Sequence, residues 1–269
     1  MKLKKRIIFT LLYCDGNFVL SRNFRKQIIG DFNWLKKNYN FQSVSFYIDE
    51  LVVLDISDTK NIDTFSDIII KLSEFSFVPI SAGGGLDSLS KVKKLLNSGA
   101  DKVVINTNLF NKKNSLKEIA NIYGKQCIVG SIDILKKDAD YFIYSNNGNK
   151  LEGSLKNVIN NNENLNYVGE LYINSINQDG TGQGLDIVIA KKIRNLFEIP
   201  IILSGGIGKA EHIIEGIISP YVDAVSTAHL LNFIGNGLEL TRNNLRSEGF
   251  DIANWETLSS FQKKINSKT

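Results

Sequence analysis

The sequence predicts a single closed (βα)8 barrel, a TIM barrel of the α/β class. Three observations lead to this fold: short apolar runs, amphipathic stretches between them, and an internal repeat at about 121 residues. The runs lie at 7–12, 51–55, 78–82, 102–106, 127–133, 171–175, 199–204 and 224–228. Near-continuous apolar strands that alternate with helices are typical of a parallel sheet covered by helices. An open doubly wound sheet is the alternative.

The stretches between the runs carry apolar residues every three or four positions, which predicts helices with one buried face. The residues that share a face are Phe65, Ile68, Ile69 and Leu72 in one stretch, Leu89, Val92, Leu95 and Leu96 in the next, and Ile213, Ile214, Ile217 and Ile218 in a third. Each predicted helix follows a predicted strand, as the barrel requires.

The two halves of the chain repeat one another. Val78-Pro79-Ile80 returns as Ile199-Pro200-Ile201, Gly83-Gly84 as Gly205-Gly206, and Asp101-Lys102-Val103 as Asp223-Ala224-Val225. Two copies of four strand–helix units favour a closed barrel over an open sheet. We expect one domain at 1–256, made of half-barrels at about 1–124 and 125–256, and a C-terminal tail at 257–269.

Composition and charge narrow the functional classes. The 269 residues are 43% hydrophobic and 22% charged, with three prolines, which favours one globular domain. The net charge of +4 is small and spread along the chain, so nothing indicates a nucleic-acid partner. No apolar stretch reaches the ~18 residues of a membrane span. The basic N-terminus is followed by a short apolar segment, Ile7 to Cys14, as in a signal peptide, but no small-residue cleavage site follows it. We therefore interpret this segment as the first strand and expect a cytoplasmic protein without a membrane partner.

The cysteines and histidines form no recognisable site. Cys14 and Cys127 are far apart, and neither histidine has neighbouring ligands at metal-binding spacing. We therefore expect no metal and no cofactor. His212 begins a helical stretch and is interpreted as a capping or solvated group. His229 follows the last strand and is a candidate donor to an anion, with a packing role as the alternative.

Glycine-rich loops follow two strands at corresponding positions of the repeat, at Gly83-Gly84-Gly85 and at Gly205-Gly206. In a parallel barrel the site forms at the C-terminal strand ends, where glycine amides before a helix N-terminus can bind phosphate. Ser88 stands at the predicted start of the helix after the first loop. Two such loops predict a substrate with two phosphates or two anionic ends. Glycines that only make tight turns are the alternative.

Other polar residues surround these loops. The segment from Asp179 to Gly184 is interpreted as an active-site loop, because it lacks GxGxxG spacing and follows the sixth strand rather than the first. The candidates for binding an anionic substrate are Asp55, Gly83, Gly84, Gly85, Asn106, Thr107, Ser175, Asp179, Gly180, Thr181, Gly205, Gly206, Thr227, Ala228 and His229.

Asp133, at the end of the fifth strand, is the candidate catalytic acid or base, with a capping role as the alternative. Asp55 is a second candidate carboxylate. The repeat aligns Asp133 with Leu12, so this position holds an acid in one half only. The segment 15–30 is basic, with Arg22, Arg25 and Lys26, and is interpreted as a solvated loop; closure over an anion is the alternative.

Together these residues resemble the cyclase subunit of imidazole glycerol phosphate synthase, the HisF family, from Lys5 to about Asp251. The resemblance covers most of the chain and implies the (βα)8 fold, two phosphate sites and lyase chemistry within a glutamine amidotransferase complex. The segments that carry it are Asp15-Gly16, Asp49-Glu50-Leu51-Val52, Leu54-Asp55-Ile56-Ser57, Gly83-Gly84-Gly85, Gly99-Ala100-Asp101-Lys102-Val103, Ile132-Asp133, Gln178-Asp179-Gly180-Thr181 and Ser204-Gly205-Gly206-Ile207-Gly208.

The resemblance also implies a partner. Members of this family use ammonia from a glutaminase subunit, which docks on the N-terminal barrel face to form a heterodimer, and the ammonia passes a gate of four charged residues. The matching positions here are Arg6, Glu50, Lys102 and Glu170. A ring of salt bridges without a transport role is the alternative.

The chain differs from the family at positions where the family has catalytic residues. The family uses two aspartates; one matches Asp133, while the other falls on Leu12, and a family lysine falls on Leu20. A small residue beside the second phosphate falls on His229. General acid–base groups typically contribute ~10²–10⁴-fold each, so Leu12 predicts poor ordinary cyclisation.

The combination predicts a divergent family member that supplies ammonia for amidination of a sugar precursor in surface-polysaccharide biosynthesis. Two alternatives remain open. One is an authentic histidine-pathway cyclase that forms imidazole glycerol phosphate and AICAR with a relocated base. The other is a non-catalytic barrel that activates a glutaminase.

Overall fold

The fold was analysed in a computed structural model that describes residues 4–38, 44–111, 115–228 and 237–253. Its strands are β1 (Arg6–Cys14), β2 (Asn17–Arg22), β3 (Arg25–Gly30), β4 (Glu50–Asp55), β5 (Ile80–Gly83), β6 (Lys102–Ile105), β7 (Ile128–Lys137), β8 (Asp140–Ser145), β9 (Lys150–Ser154), β10 (Glu170–Ser175), β11 (Ile201–Ser204) and β12 (Ala224–Thr227).

The α-helices are α1 (Phe32–Asn38), α2 (Ile62–Ser73), α3 (Leu89–Asn97), α4 (Ser115–Tyr123), α5 (Leu155–Asn161), α6 (Ile187–Arg194), α7 (Ala210–Ile218) and α8 (Gly237–Ser247). Short 3₁₀ helices lie at Thr107–Phe110, Lys125–Cys127 and Glu163–Tyr167. Among the described residues, no helix is long and apolar enough to cross a membrane.

Eight parallel strands close into a barrel in the order β1, β4, β5, β6, β7, β10, β11, β12, and β12 pairs back onto β1. Each of the eight predicted apolar runs coincides with one of these strands. The predicted (βα)8 fold is therefore confirmed, and the open doubly wound sheet is wrong because β7 and β10 also pair in parallel.

The strands bury both faces because helices cover the outside of the barrel. On β1, Ile7, Phe9 and Leu11 pack in the outer core against the helices, whereas Ile8 belongs to the barrel interior. This alternation follows from the two-residue period of a strand. The interior apolar cluster consists of Ile8, Val52, Val104, Val129, Tyr172, Ile202 and Ala224.

The predicted solvated loop at 15–30 is wrong, because this segment forms an antiparallel hairpin of β2 and β3 that continues from β1. Asp15 and Gly16 have φ of 48° and 87°, as a tight hairpin turn requires. Phe18, Val19 and Leu20 are buried. Apolar contacts thus stabilise β2, while Arg22 and Arg25 are exposed at the tip of the hairpin.

A second hairpin, β8–β9, continues from β7, and the sequence analysis missed it. Asp133 therefore does not end its strand, which runs on to Lys137. The overlooked signal was the alternation of buried Tyr141, Ile143 and Ser145, followed by an Asn147-Gly148 turn. Each hairpin follows the first barrel strand of one predicted half, which agrees with the internal repeat.

The helices position the loops at the mouth. Asn61 caps α2 by accepting hydrogen bonds from the amides of Asp63 and Thr64. Ser88 occupies the N-cap position of α3, as expected, although its hydroxyl contacts Ser90 rather than a helix amide. His212 lies in α7 and its Nδ1 accepts a hydrogen bond from the Gly208 amide at 3.1 Å, consistent with the capping interpretation.

Candidate functional site

The C-terminal ends of the barrel strands surround a cavity of about 340 Å³. Such a cavity is within the range of sites for small metabolites. The predicted site residues that line it are Asp55, Gly83, Gly84, Gly85, Asn106, Thr107, Asp133, Asp179 and Ala228. Residues from both predicted halves therefore meet in one space, as the family resemblance implies.

Asp133 is a buried carboxylate of this cavity. Its Oδ2 accepts a hydrogen bond from Asn106 Nδ2 at 3.1 Å. Burial raises the pKa of Asp133 to about 7, against the lowering effect of hydrogen bonds from Asn174 and Asn106. A carboxyl group that titrates near neutral pH can both give and take a proton under working conditions, as a general acid or base must.

The other three carboxylates of the cavity have partners elsewhere. Asp55 Oδ1 accepts from the Ser57 amide at 2.9 Å and the Ser57 hydroxyl at 2.6 Å. Asp87 pairs with Lys91 at 2.9 Å. Asp179 accepts from the β2–β3 hairpin. Among the cavity carboxylates of the described chain, Asp133 thus stands apart as a proton-transfer candidate.

Leu12 and Leu54 form an apolar part of the wall. They are direct neighbours in the β1–β4 pairing, and both line the cavity. Asp15, the nearest acid along the chain, lies in the exposed hairpin turn, where its amide donates to the Ser57 hydroxyl at 2.9 Å. Asp15 does not line the cavity, and the Asp55 carboxylate, which does, is hydrogen-bonded to Ser57.

The first glycine-rich loop faces two lysines that were not predicted as a pair. Lys26, on β3, and Lys60, before α2, both line the cavity. Lys60 Nζ donates to the carbonyl oxygens of Asp55 at 3.1 Å and Ser57 at 2.8 Å. Burial lowers the pKa of Lys60, against the opposing effect of Asp55. Two cations beside exposed loop amides make this side of the cavity suited to an anion.

Close packing also accounts for these glycines. A Cβ on Gly84, whose φ is 134°, would lie 2.5 Å from the Asp55 carbonyl oxygen. A Cβ on Gly206 would lie 2.0 Å from the Gly184 carbonyl oxygen, and one on Gly205 2.9 Å from that of Ser175. The tight-turn alternative therefore explains why glycine is present, and the argument for anion binding depends on the cavity and its lysines instead.

Only part of the second predicted anion-binding region lines the cavity. Ser204 and Ala228 line it, with Asp179 beside them. The candidates that do not line it are Ser175, Gly180, Thr181, Gly205, Gly206 and Thr227. His229 lies outside the described residues, as does the tail beyond residue 253. A second phosphate site at this position stays a prediction.

Asp179 fastens the β2–β3 hairpin over the mouth. Its Oδ2 accepts from the Ser21 hydroxyl at 2.5 Å and from the Phe24 amide at 2.9 Å, while its carbonyl accepts from the Asn23 amide at 3.0 Å. Phe24 lines the cavity and packs against Gly148 of the other hairpin, where a Cβ would lie 2.7 Å from the ring. The two hairpin tips thus meet above the site.

The four predicted gate residues form a closed ring at the opposite end of the barrel. Each is the first residue of its strand: β1, β4, β6 and β10. Arg6 bonds Glu50 at 3.0 Å and Glu170 at 2.7 Å. Lys102 bonds the same two carboxylates at 3.1 and 3.0 Å. Positive and negative groups therefore alternate around the barrel axis.

The ring is largely shielded from water. Glu50 has 3% of its side chain exposed and also accepts from the Ser81 hydroxyl. Burial alone would raise the pKa of Glu170, but Arg6 and Lys102 outweigh it and hold this pKa below its usual value. Glu170 therefore stays ionised near neutral pH. Opening the ring requires at least one ion pair to break.

A buried group of hydroxyls lies between the ring and the mouth. Tyr172 Oη donates to Ser204 Oγ at 2.8 Å and lies 3.0 Å from Thr10 Oγ1. Thr10 Oγ1 lies 2.6 Å from Ser226 Oγ, which is 3.4 Å from Tyr172 Oη. We call Thr10, Tyr172, Ser204 and Ser226 the hydroxyl cluster.

The hydroxyl cluster was not predicted from the sequence. The two-residue period of a strand could have indicated it, because Thr10 and Tyr172 lie an even number of residues after Arg6 and Glu170 and so face the same side of their strands. Alternation from a known interior residue would therefore have placed both inside the barrel.

Comparison with known proteins agrees with the resemblance. Residues 6–234 match the histidine biosynthesis protein family. A protein of Parasynechococcus marenigrum, provisionally named imidazole glycerol phosphate synthase subunit hisF2, is 44% identical over 260 residues, 96% of each chain.

Two relatives are named imidazole glycerol phosphate synthase subunit HisF. The one from Exiguobacterium sp. is 36% identical over 86% of this chain and 89% of its own. The one from Microcystis aeruginosa is 35% identical over 86% and 92%. The expected family is thus confirmed: the chain belongs to the histidine biosynthesis protein family, as a divergent HisF-type cyclase subunit.

Proposed function

We propose that this chain receives ammonia from a glutaminase partner at the ring end of the barrel and delivers it to an anionic substrate at the mouth. The observation that carries the proposal is that the charged ring is complete whereas the acid–base site is not. Four ion pairs join the ring residues Arg6, Glu50, Lys102 and Glu170. At the mouth, Leu12 stands where the family resemblance places the second catalytic aspartate beside Asp133.

The missing acid argues against ordinary cyclisation as the physiological reaction. A single positioned acid or base contributes ~10²–10⁴-fold. The other carboxylates that line the cavity with Leu12 are engaged: Asp55 by Ser57, Asp87 by Lys91 and Asp179 by the β2–β3 hairpin. Amidination by ammonia forms a C–N bond at an activated carbon, breaks the bond to the activating group, which leaves with that electron pair, and releases a proton from nitrogen. One group is then needed to take up this proton or pass it to the leaving group, and Asp133 supplies it. Amidination of a precursor for surface polysaccharide is the reaction class that we infer.

The substrate side of the proposal depends on charge. Lys26 and Lys60 stand at the first glycine-rich loop, and α3 begins directly behind it. A phosphate or carboxylate bound there would meet two cations and the N-terminal end of a helix. This is the basis for an anionic, and by the resemblance a phosphorylated, substrate.

The partner side depends on apolar exposure around the ring. Phe77 precedes β5, Ile122 lies in the last turn of α4 and Ile218 ends α7, so all three lie at the end of the barrel where the strands begin. Their exposed fractions are 52%, 54% and 52%. Apolar side chains around a buried charged ring fit a docking face for a protein that releases ammonia onto the axis.

An authentic histidine-pathway cyclase is the second candidate, and the names of two relatives favour it. A non-catalytic activator of a glutaminase is the third. Reconstitution with candidate glutaminase subunits separates the three when glutamine hydrolysis and formation of imidazole glycerol phosphate are measured independently. We expect stimulated hydrolysis with little cyclisation. Efficient cyclisation by the unmodified chain would overturn the proposal.

A glutaminase activator alone predicts a different pattern. In that case hydrolysis is stimulated, but a phosphorylated sugar neither binds the cavity nor changes the hydrolysis rate. Lys60→Met serves as the variant that weakens the anion side. Lys94→Met serves as the control, because Lys94 pairs with the exposed Asp63 and neither residue lines the cavity. A loss of sugar phosphate binding in the first variant only supports delivery to a bound substrate.

A further inference from the structure

The hydroxyl cluster lies in the barrel interior, between the strand starts that carry the ring and the cavity at the mouth. On β10, Tyr172 stands two residues beyond Glu170, a rise of roughly 7 Å at ~3.3 Å per residue. On β1, Thr10 stands four residues beyond Arg6, roughly 13 Å. Between the ring and the hydroxyl cluster, the barrel interior is lined by apolar side chains that include Ile8 and Val52.

The cluster is both buried and open to the cavity. Thr10, Tyr172, Ser204 and Ser226 are each less than a tenth exposed. Three of them, Thr10, Tyr172 and Ser204, also line the cavity at the mouth. They therefore form the polar floor of the cavity, directly above the apolar part of the barrel interior.

The hydrogen-bonding capacity of this floor is unequal. Each hydroxyl has one proton to donate and two lone pairs to accept with. Tyr172 donates its one proton to Ser204, and the protons of Thr10 and Ser226 can serve the contacts among Thr10, Tyr172 and Ser226. The cluster then has one proton left, on Ser204, against most of its lone pairs. What remains is mainly acceptor capacity, so this floor is matched best by a ligand that carries N–H or O–H donors and no negative charge.

The floor is also uncharged. Burial raises the pKa of the Tyr172 phenol, although hydrogen bonds with Ser204, Ser226 and Thr10 oppose this. The phenol thus stays neutral even at alkaline pH. An uncharged, buried set of acceptors favours a neutral donor over a cation, because a cation loses far more hydration free energy on entry.

We propose that the hydroxyl cluster is a binding site for ammonia, which holds the molecule at the floor of the cavity before it reacts. This inference rests on the proposed function. Ammonia that donates N–H groups to Tyr172 and Thr10 points its lone pair away from the floor, towards the cavity. That is the orientation that nucleophilic attack on a substrate above it requires.

The cluster also complements the loss of the first acid. Leu12 lies two residues beyond Thr10 on β1, at the next interior level. A carboxylate at that level would favour the protonated, non-nucleophilic ammonium ion by its charge. Neutral oxygens below an apolar wall hold ammonia in its reactive form instead.

The test uses the full chain labelled with ¹³C at the ζ carbon of tyrosine. Tyr172→Phe identifies the Tyr172 signal, and ammonium chloride is titrated at alkaline and neutral pH, with potassium chloride as the ionic control. We expect a saturable shift of the Tyr172 signal that follows the concentration of ammonia and not that of ammonium. Tyr141, which contacts Asp186 outside the barrel, is the internal control and should not respond.

Thr10→Val removes one of the two oxygens that accept from ammonia and keeps the size of the side chain nearly unchanged. We expect the half-saturating ammonia concentration to rise about 2- to 10-fold, the effect of one hydrogen bond. A Tyr172 signal that shifts equally with potassium chloride, or that does not shift at all, would overturn the site. Stimulation of a glutaminase by the same preparation reports on the proposed function separately, so the two failures are distinguishable.

Discussion

Leu12 and Leu54 lie side by side in the β1–β4 pairing and present apolar side chains to the cavity that holds Asp133. The family resemblance puts a catalytic aspartate at the first of these positions. The site therefore keeps one acid with a shifted pKa and loses its counterpart, while the charged ring at the other end of the barrel is intact. Four predictions follow different parts of this arrangement.

Leu12→Asp should restore part of the cyclase chemistry. A carboxylate at this position would share the cavity with Asp133, and we expect formation of imidazole glycerol phosphate to rise at least about tenfold. The gain should stay below the full ~10²–10⁴-fold because Leu20 also departs from the family pattern. Leu12→Asn is the matched control, since it adds polarity without a proton-transfer group. Equal rates for the two variants would contradict the prediction.

Asp133→Asn should abolish substrate turnover and remove a pH dependence of stability. The folded-state pKa of about 7 exceeds the ordinary value of 3.8, so the folded protein binds an extra proton between these limits. Stability is therefore fully present below about pH 4 and declines as pH rises through about 7. Each unit of this shift corresponds to about 1.4 kcal/mol.

Denaturant titrations at acidic and mildly alkaline pH measure this effect. The asparagine variant should gain stability relative to the unmodified protein as pH rises from about 4 to about 7, and the difference should level off above that. Asp138→Asn, at an exposed turn, is the control. A constant difference across the pH range would show that Asp133 is not buried in its charged form.

Glu50→Gln should open the ring and lower stability. Glu50 bonds Arg6 and Lys102, and its loss leaves two shielded cations with one carboxylate between them. Breaking a buried ion pair from one side costs about 3–5 kcal/mol, so a loss near the lower figure is expected. Asp251→Asn, which breaks the exposed pair with Lys4, should cost less than ~1 kcal/mol.

The same ring variant tests the transport role. In a reconstituted complex, Glu50→Gln should uncouple glutamine hydrolysis from ammonia delivery, measured as ammonia released to solution per glutamate formed. Unchanged coupling together with the expected loss of stability would leave the ring as a structural feature and contradict the gate.

Asp179→Asn should loosen the β2–β3 hairpin. The carboxylate accepts from the Ser21 hydroxyl and the Phe24 amide, and hydrogen bonds to a charged group contribute about 1.5–3 kcal/mol. Amide exchange at Phe24 should accelerate about 10- to 100-fold, as hydrogen-exchange mass spectrometry over β2 and β3 can measure. Asp186→Asn is the control because its partners lie on β8 and α6. Exchange that is unchanged in Asp179→Asn would show that the hairpin does not depend on this carboxylate.

Much of the architecture follows from local patterns. Near-continuous apolar runs predict the eight barrel strands, and the internal repeat favours their closure into a barrel. The hairpins escaped prediction for a different reason. Exposed Arg22 and Arg25 favoured the interpretation as a solvated loop. The short apolar segment Phe18 to Leu20 becomes buried only when β2 pairs with β1 and β3.

The order of residues along the chain is sufficient to indicate the barrel, the family and the position of Arg6, Glu50, Lys102 and Glu170 at strand starts, because strand period and spacing are local properties. The hydrogen bonds and the pKa of each side chain depend instead on contacts between residues that are distant in sequence. Asp55 and Asp179 have the same carboxylate group as Asp133, but they accept hydrogen bonds from Ser57 and from the β2–β3 hairpin. Burial leaves Asp133 with a pKa of about 7, and barrel closure brings Thr10, Tyr172, Ser204 and Ser226 together, because pKa and hydrogen bonding respond to neighbours in space.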